Sequence, residues 1–201
     1  MRLDVTGSRV SVARLFGLLI LLVVLVTSHS FAQESLADTG MEISGLTLLT
    51  TAGIGRLWAL LYMAGRKNRE LIRTGPYSIM RHPLYAFNIV GAAGIGLASE
   101  SLLILAAIMI FMLLYYPIAI RAEETKLLRR FGDAYLEYKS QVPALIPNLR
   151  LYHAPDRWEV DMHMFTRTCL DAIWFLWIFI LLHGIESLHD SGVLPVLWKI
   201  S

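Results

Sequence analysis

Long apolar runs that alternate with short basic segments constrain this chain more than any other feature. The runs are Val10 to Ala32, Ile43 to Ala64 with only Arg56 interrupting, Leu84 to Ala98, Leu102 to Ile120 and Cys169 to Gly184, with a shorter stretch from Val193 to Ile200. A bilayer core is crossed by about 20 apolar residues, and backbone groups in lipid must be satisfied within their own segment, which selects helices. The 201 residues are 56% hydrophobic and 17% charged, whereas a soluble domain carries about a quarter of its residues charged. The expected fold class is therefore all-α, a multi-pass transmembrane helical bundle with about five spans. A net charge of +2 is too mild to call for nucleic acid. The lone Cys169 excludes an intrachain disulfide and reads as buried packing.

The basic residues are placed for topology. Three precede or open the first run (Arg2, Arg9, Arg14), five lie between Gly65 and Pro83, and eight between Arg121 and Arg167, which accounts for sixteen of the 18. The segment Gln33 to Glu42 has none, but carries Glu34, Asp38 and Glu42. By the positive-inside rule the N-terminus and both basic segments are cytoplasmic, and the acidic segment is outside. Residues 1–32 fit either a retained N-terminal transmembrane helix or a cleavable signal ending in small residues. Residues 43–147 form the membrane core, and 148–201 a C-terminal cytoplasmic segment followed by a last transmembrane helix. Neither basic segment is long enough to bury a core of its own, so chemistry belongs in a cytoplasm-facing pocket at the membrane surface.

Two constellations could carry that chemistry. Gly75-Pro76-Tyr77 and Arg81-His82-Pro83-Leu84-Tyr85 lead into the third run, with Pro83 suited to a first helical turn. Arg81 and His82 then stand beside a helix N-terminus, where free N–H groups favour anionic groups. Their structural alternative is headgroup snorkelling and capping. The second is Arg121-Ala122-Glu123-Glu124 at the cytoplasmic end of the fourth run, where two carboxylates are costly unless they meet water or cations. If the helix continues, Glu124, Leu127, Leu128, Phe131, Tyr135 and Tyr138 share one face and place a carboxylate beside an aromatic stripe. That pairing suits a ligand with a positive charge and a flat ring, and equally a solvated pair above an interfacial anchor. Arg56, deep in the second run, calls for a function or an ion pair, with Glu123 or Glu124 as candidate partners. Gly91, Gly94 and Gly96 follow no strand, which favours close helix packing over a nucleotide loop. The histidines lack metal-site spacing, so no metal is expected.

Arg56-Leu57-Trp58-Ala59, Gly75-Pro76-Tyr77, Arg81-His82-Pro83-Leu84-Tyr85, Glu123-Glu124, Phe131-Gly132-Asp133-Ala134-Tyr135-Leu136-Glu137-Tyr138 and Val142-Pro143-Ala144-Leu145-Ile146-Pro147 occur in that order between Gly55 and Pro147. The ordered set resembles the isoprenylcysteine carboxyl methyltransferase and phospholipid methyltransferase superfamily of integral membrane enzymes. The resemblance implies S-adenosylmethionine as methyl donor and a lipophilic or lipid acceptor bearing a carboxylate, thiol or amine. It implies donor binding by Tyr77, His82, Pro83, Tyr85, Glu123, Glu124 and Tyr135, and acceptor orientation by Arg81, Arg121 and Arg56. Sterol reductases share an Arg-His-Pro-x-Tyr-like segment, so an NAD(P)H-dependent membrane reductase is the rival enzyme. A non-catalytic membrane assembly protein on the same scaffold is the rival from another class.

Overall fold

The computed structural model describes residues 27–29, 36–66, 69–167 and 198–200, with scattered residues between 169 and 187. Most of the first apolar run and most of the last lie outside the described residues, and so do the expectations attached to them. The helices bounded within the described residues are, in chain order, α1 Leu36–Met63, α2 Pro76–Ile79, α3 Pro83–Ala98, α4 Leu102–Phe131 and α5 Asp133–Gln141, with a 3-10 turn at Leu149–Leu151; residues 162–167 are helical as well. One departure from an all-helical fold is a short parallel pairing of β1 Thr27–His29 with β2 Trp198–Ile200. It links the end of the first apolar run to the C-terminal stretch.

Among the described residues two helices are long and apolar enough to cross a membrane, Thr39–Met63 and Leu102–Phe131, and Pro83–Ala98 is a shorter apolar helix. α1 begins at Leu36, so part of the acidic segment expected as an outside loop is helical. Nothing in Leu36–Glu42 breaks a helix, and an α-helix does not stop where hydrophobicity stops. At about 1.5 Å per residue, the 30 residues of α4 exceed the roughly 30 Å apolar core. Its apolar part ends near Ile120 and the charged remainder projects beyond. Leu103, Ile110, Leu114 and Ile118 are exposed at helical spacing on α4, as a lipid-facing stripe requires.

The glycines behave as packing residues. A Cβ on Gly45 would lie 2.8 Å from the Ala98 nitrogen, and one on Gly94 would lie 2.9 Å from the Gly45 carbonyl oxygen. α1 and α3 therefore touch backbone to backbone, the geometry that small residues permit in membranes. A tight turn joins α3 to α4: Ser99 Oγ donates to the Gly96 carbonyl at 2.7 Å, and Ser101 caps α4 by accepting from Ile104 N at 3.4 Å.

Helix α4 does not run on through Tyr138. Gly132, at φ 52°, accepts a left-handed backbone conformation that costs other residues, and the chain turns there into α5. The expected single face is thereby split: Tyr135 and Tyr138 are buried and Leu128 is exposed. The turn brings α5 back against the segment that precedes α3.

Candidate functional site

The site is assembled where three separate stretches meet at the N-terminus of α3. Pro76 starts α2 and Pro83 starts α3, each with φ already set for a first turn. Between them, Arg81 N donates to the Pro143 carbonyl at 2.8 Å and His82 N to the Ala144 carbonyl at 3.0 Å, while Asn148 N donates to Ile79 O at 2.9 Å. The Val-Pro-Ala-Leu-Ile-Pro segment is thus laid alongside residues 79–82 by backbone hydrogen bonds. Tyr138 Oη donates to the Tyr77 carbonyl at 2.6 Å and fastens α5 to α2.

Glu124 is the centre of this junction. Its Oε1 accepts from Arg81 Nη2 at 2.8 Å and Nε at 3.2 Å and lies 3.3 Å from His82 Nε2; its Oε2 accepts from Lys139 Nζ at 2.7 Å. Arg81 also donates to the carbonyls of Lys139, at 3.0 Å, and Val142. The side chains of Arg81, His82 and Glu124 are 10%, 2% and 12% exposed, so charge is nearly buried and must be compensated there. Glu124 is committed to a latch that joins α4, the α3 N-terminus and α5. Burial, the dominant cause, holds the pKa of His82 below its ordinary value despite the carboxylates of Glu123 and Glu124, so His82 is neutral at neutral pH.

Glu123, its neighbour, is in a different situation. Among the described residues no cation forms an ion pair with it, yet it acts electrostatically on Tyr77 and His82. Adjacent residues on an α-helix point about 100° apart, which is why one glutamate is ringed by cations while the other is bonded by the Tyr85 hydroxyl. Tyr77 is 6% exposed and its Oη is buried without a hydrogen-bond partner. Burial first, then the Glu123 charge, drives its phenol well above the usual range, so it remains protonated. Tyr85 stands 5.8 Å from His82 edge-on and 5.2 Å from Tyr116, carrying an aromatic wall into the membrane.

The sequence candidates do not all converge. Tyr77, His82, Glu123 and Glu124 meet, and fully buried Pro83 and Tyr135 support them from the helix start and from α5. Arg81 is in the latch. Arg121 is exposed, and among the described residues no carboxylate pairs with it. Arg56 donates to Asn88 Oδ1 across α1 and α3, and it pairs with neither Glu123 nor Glu124. Asn88, six residues beyond His82, is a partner that the sequence did not suggest. Lys139 was equally unforeseen, because its approach to Glu124 depends on the Gly132 turn. A depression of about 690 Å³ borders the outer side of the latch, lined by Arg81, Lys139, Gln141, Val142, Asn148 and Arg150 among others. Neither glutamate lines it, so it is separate from the Glu123 face.

Comparison with known proteins identifies the family. A phospholipid methyltransferase family model matches residues 44–134. The chain is 39% identical over 150 residues to the cobalt-zinc-cadmium resistance protein CzcN of Cupriavidus metallidurans, covering 75% of this chain and 69% of that one. It is 36% identical over 176 residues to the nickel-cobalt-cadmium resistance protein NccN of Alcaligenes xylosoxydans xylosoxydans, covering 88% and 82%. It is 28% identical over 106 residues, 53% of either chain, to protein-S-isoprenylcysteine O-methyltransferase B of Arabidopsis thaliana. No solved structure matches. With its apolar helices, its Arg-His-Pro and Glu-Glu segments meeting at one helix start, and these relatives, the chain is a membrane protein that belongs to the isoprenylcysteine carboxyl methyltransferase and phospholipid methyltransferase superfamily.

Proposed function

We propose that this protein transfers a methyl group from S-adenosylmethionine to a lipophilic acceptor at the cytoplasmic face of the membrane. The observation that carries the reading is the contrast between the two glutamates: Glu124 is saturated by Arg81, His82 and Lys139, whereas Glu123, bonded by the Tyr85 hydroxyl, has no cation paired with it among the described residues and acts on the buried, unpartnered Tyr77 hydroxyl. The donor presents an ammonium, a cationic sulfonium, a carboxylate and a flat adenine. When bound it supplies an electrophilic methyl group. Glu123 would hold the ammonium, and Tyr77 and the neutral His82 would bond its polar groups. Tyr85 and Tyr116 shield that space from water on the membrane side. In-line displacement asks of the protein mainly alignment and water exclusion, and the latch gives alignment by fixing Arg81 and His82. A carboxylate or thiolate acceptor would need no base; an amine would have to lose a proton first, and Glu123 and His82 are the groups able to accept it. Acceptors would enter between the spans, with the basic segments cytoplasmic in a multi-pass arrangement.

Purified protein in lipid nanodiscs should bind S-adenosylhomocysteine and transfer labelled methyl groups into a membrane lipid extract, and Glu123→Gln should abolish both. Binding of a nicotinamide dinucleotide without S-adenosylhomocysteine binding would overturn the proposal in favour of a reductase. The resistance proteins that resemble most of the chain add a cellular context. In that context methyl transfer would serve tolerance of divalent metals, and Glu123→Gln should sensitise cells to cobalt or cadmium as fully as deletion does. Full tolerance in the variant would point to the non-catalytic assembly role.

A further inference from the structure

A second group of unsatisfied polar atoms lies next to Tyr77, away from the latch. Thr74 Oγ1, Tyr77 Oη and Trp158 Nε1 are each buried without a hydrogen-bond partner. A buried donor left unmade costs about 1–3 kcal/mol, so three in one neighbourhood ask for a ligand that offers acceptors. Their surroundings are aromatic: Ala59, Tyr62 and Tyr77 form a buried cluster, and Trp58, Leu84 and Trp158 pack against it. Ala59, at the floor of this cluster, is fully buried and carries the smallest side chain in it. Tyr62 stands 5.1 Å from the Trp158 ring, and the Arg66 guanidinium lies over it at 4.1 Å. The indole is thereby held in place, with its N–H edge left to serve a ligand.

Charge decides which ligand. Arg66 is the nearby cation, and it is committed to Glu70 and to the Glu159 carbonyl. The remaining donors are neutral, so a free anion would lose its hydration without gaining a counter-charge. A neutral, flat ring with several acceptor atoms satisfies the donors at no such cost. Trp158 sits on a strap without regular secondary structure. The strap is tied at one end by Gly75 N donating to the His153 carbonyl at 2.9 Å and His153 N to Ser78 Oγ at 3.2 Å, and at the other by Arg66 holding Glu159. Tyr77 belongs to this cluster and also lies in the field of Glu123.

We propose that Thr74, Tyr77 and Trp158 form the seat of a purine ring, with the 153–159 strap as its wall. The inference rests on the methyltransferase reading and adds to it that the C-terminal segment, outside the matched family region, takes part in donor binding. The adenine would occupy the aromatic seat, and the ammonium end would reach Glu123 on the other side of Tyr77.

Calorimetric titration of the full chain in detergent with two probes, adenosine and S-adenosylhomocysteine, tests this. Trp158→Phe keeps the aromatic surface and removes only the N–H; it should weaken both probes by a similar factor, about three- to tenfold. Thr74→Val should do the same. Glu123→Gln should weaken S-adenosylhomocysteine and leave adenosine, which has no ammonium, unchanged. Unaltered thermal midpoints for the first two variants would exclude misfolding as the cause. If Trp158→Phe and Thr74→Val bind both probes like the parent while Glu123→Gln loses S-adenosylhomocysteine, the purine seat is refuted and the methyltransferase reading survives. If the parent binds neither probe, both fall together.

Discussion

Replacing Glu124 with Gln should destabilise the protein far more than the same change at Glu123. Glu124→Gln removes the counter-charge from Arg81, whose side chain is 10% exposed, and weakens the contact with His82, at 2%. Breaking a buried pair by removing one partner costs about 3–5 kcal/mol, because the other charge stays behind. Arg81 keeps the carbonyls of Lys139 and Val142, which places the loss at the lower end, about 3 kcal/mol. Lys139 is 45% exposed, so its share is under about 1 kcal/mol. For a chain of this length each kcal/mol moves the thermal midpoint by about 2–4 °C, so unfolding in detergent should occur about 6–12 °C lower. Glu123→Gln, with no paired cation to strand, should stay within about 2 °C. A double change, Arg81→Met with Glu124→Leu, should recover part of the loss, because it removes both charges and leaves apolar volume. A shift below about 2 °C for Glu124→Gln, or an equal shift for both single variants, would show that Glu124 is not the latch.

Three further outcomes follow from the same geometry. Gly75→Ala should unfold markedly earlier, because Gly75 has φ 60° and a Cβ there would lie 2.3 Å from the Tyr62 ring; a parent-like midpoint would mean that α2 is not seated on α1 as described. His82 titrates below its ordinary value when folded, so the unfolded chain takes up the proton first. The stability contributed by neutral His82 is complete above about pH 6.5 and is lost as pH falls through the folded value. The midpoint should therefore fall more steeply from pH 7 to 5 in the parent than in His82→Gln, and equal slopes would refute the assignment. Gly94→Leu should separate α1 from α3 and lower the thermal midpoint markedly, since a Cβ at Gly94 already lies 2.9 Å from the Gly45 carbonyl oxygen and 3.0 Å from the Leu49 nitrogen; a parent-like midpoint would contradict backbone contact.

How far such a site can be read from sequence depends on which interactions are local. Two of the spans, the Ser99-Glu100 turn, the helix start at Pro83 and the packing role of Gly94 were legible, because each follows from hydropathy or from a residue's own backbone preference. Glu123 and Glu124 were legible only as a pair. Their division into a carboxylate beside Tyr85 and a buried latch depends on the rotation of α4 relative to Arg81, which adjacent positions in sequence do not encode. Lys139 and the tyrosines of α5 reach the latch because Gly132 turns the chain, whereas a periodicity count runs through that glycine without noticing it. Trp158 has no local signal in sequence that marks its role. Its meeting with Tyr62 spans 96 positions of sequence and is set by tertiary packing. The residues that recognise ligands are therefore those whose partners come from three different stretches, so a motif such as Arg-His-Pro marks where the site begins and leaves its far wall to the fold.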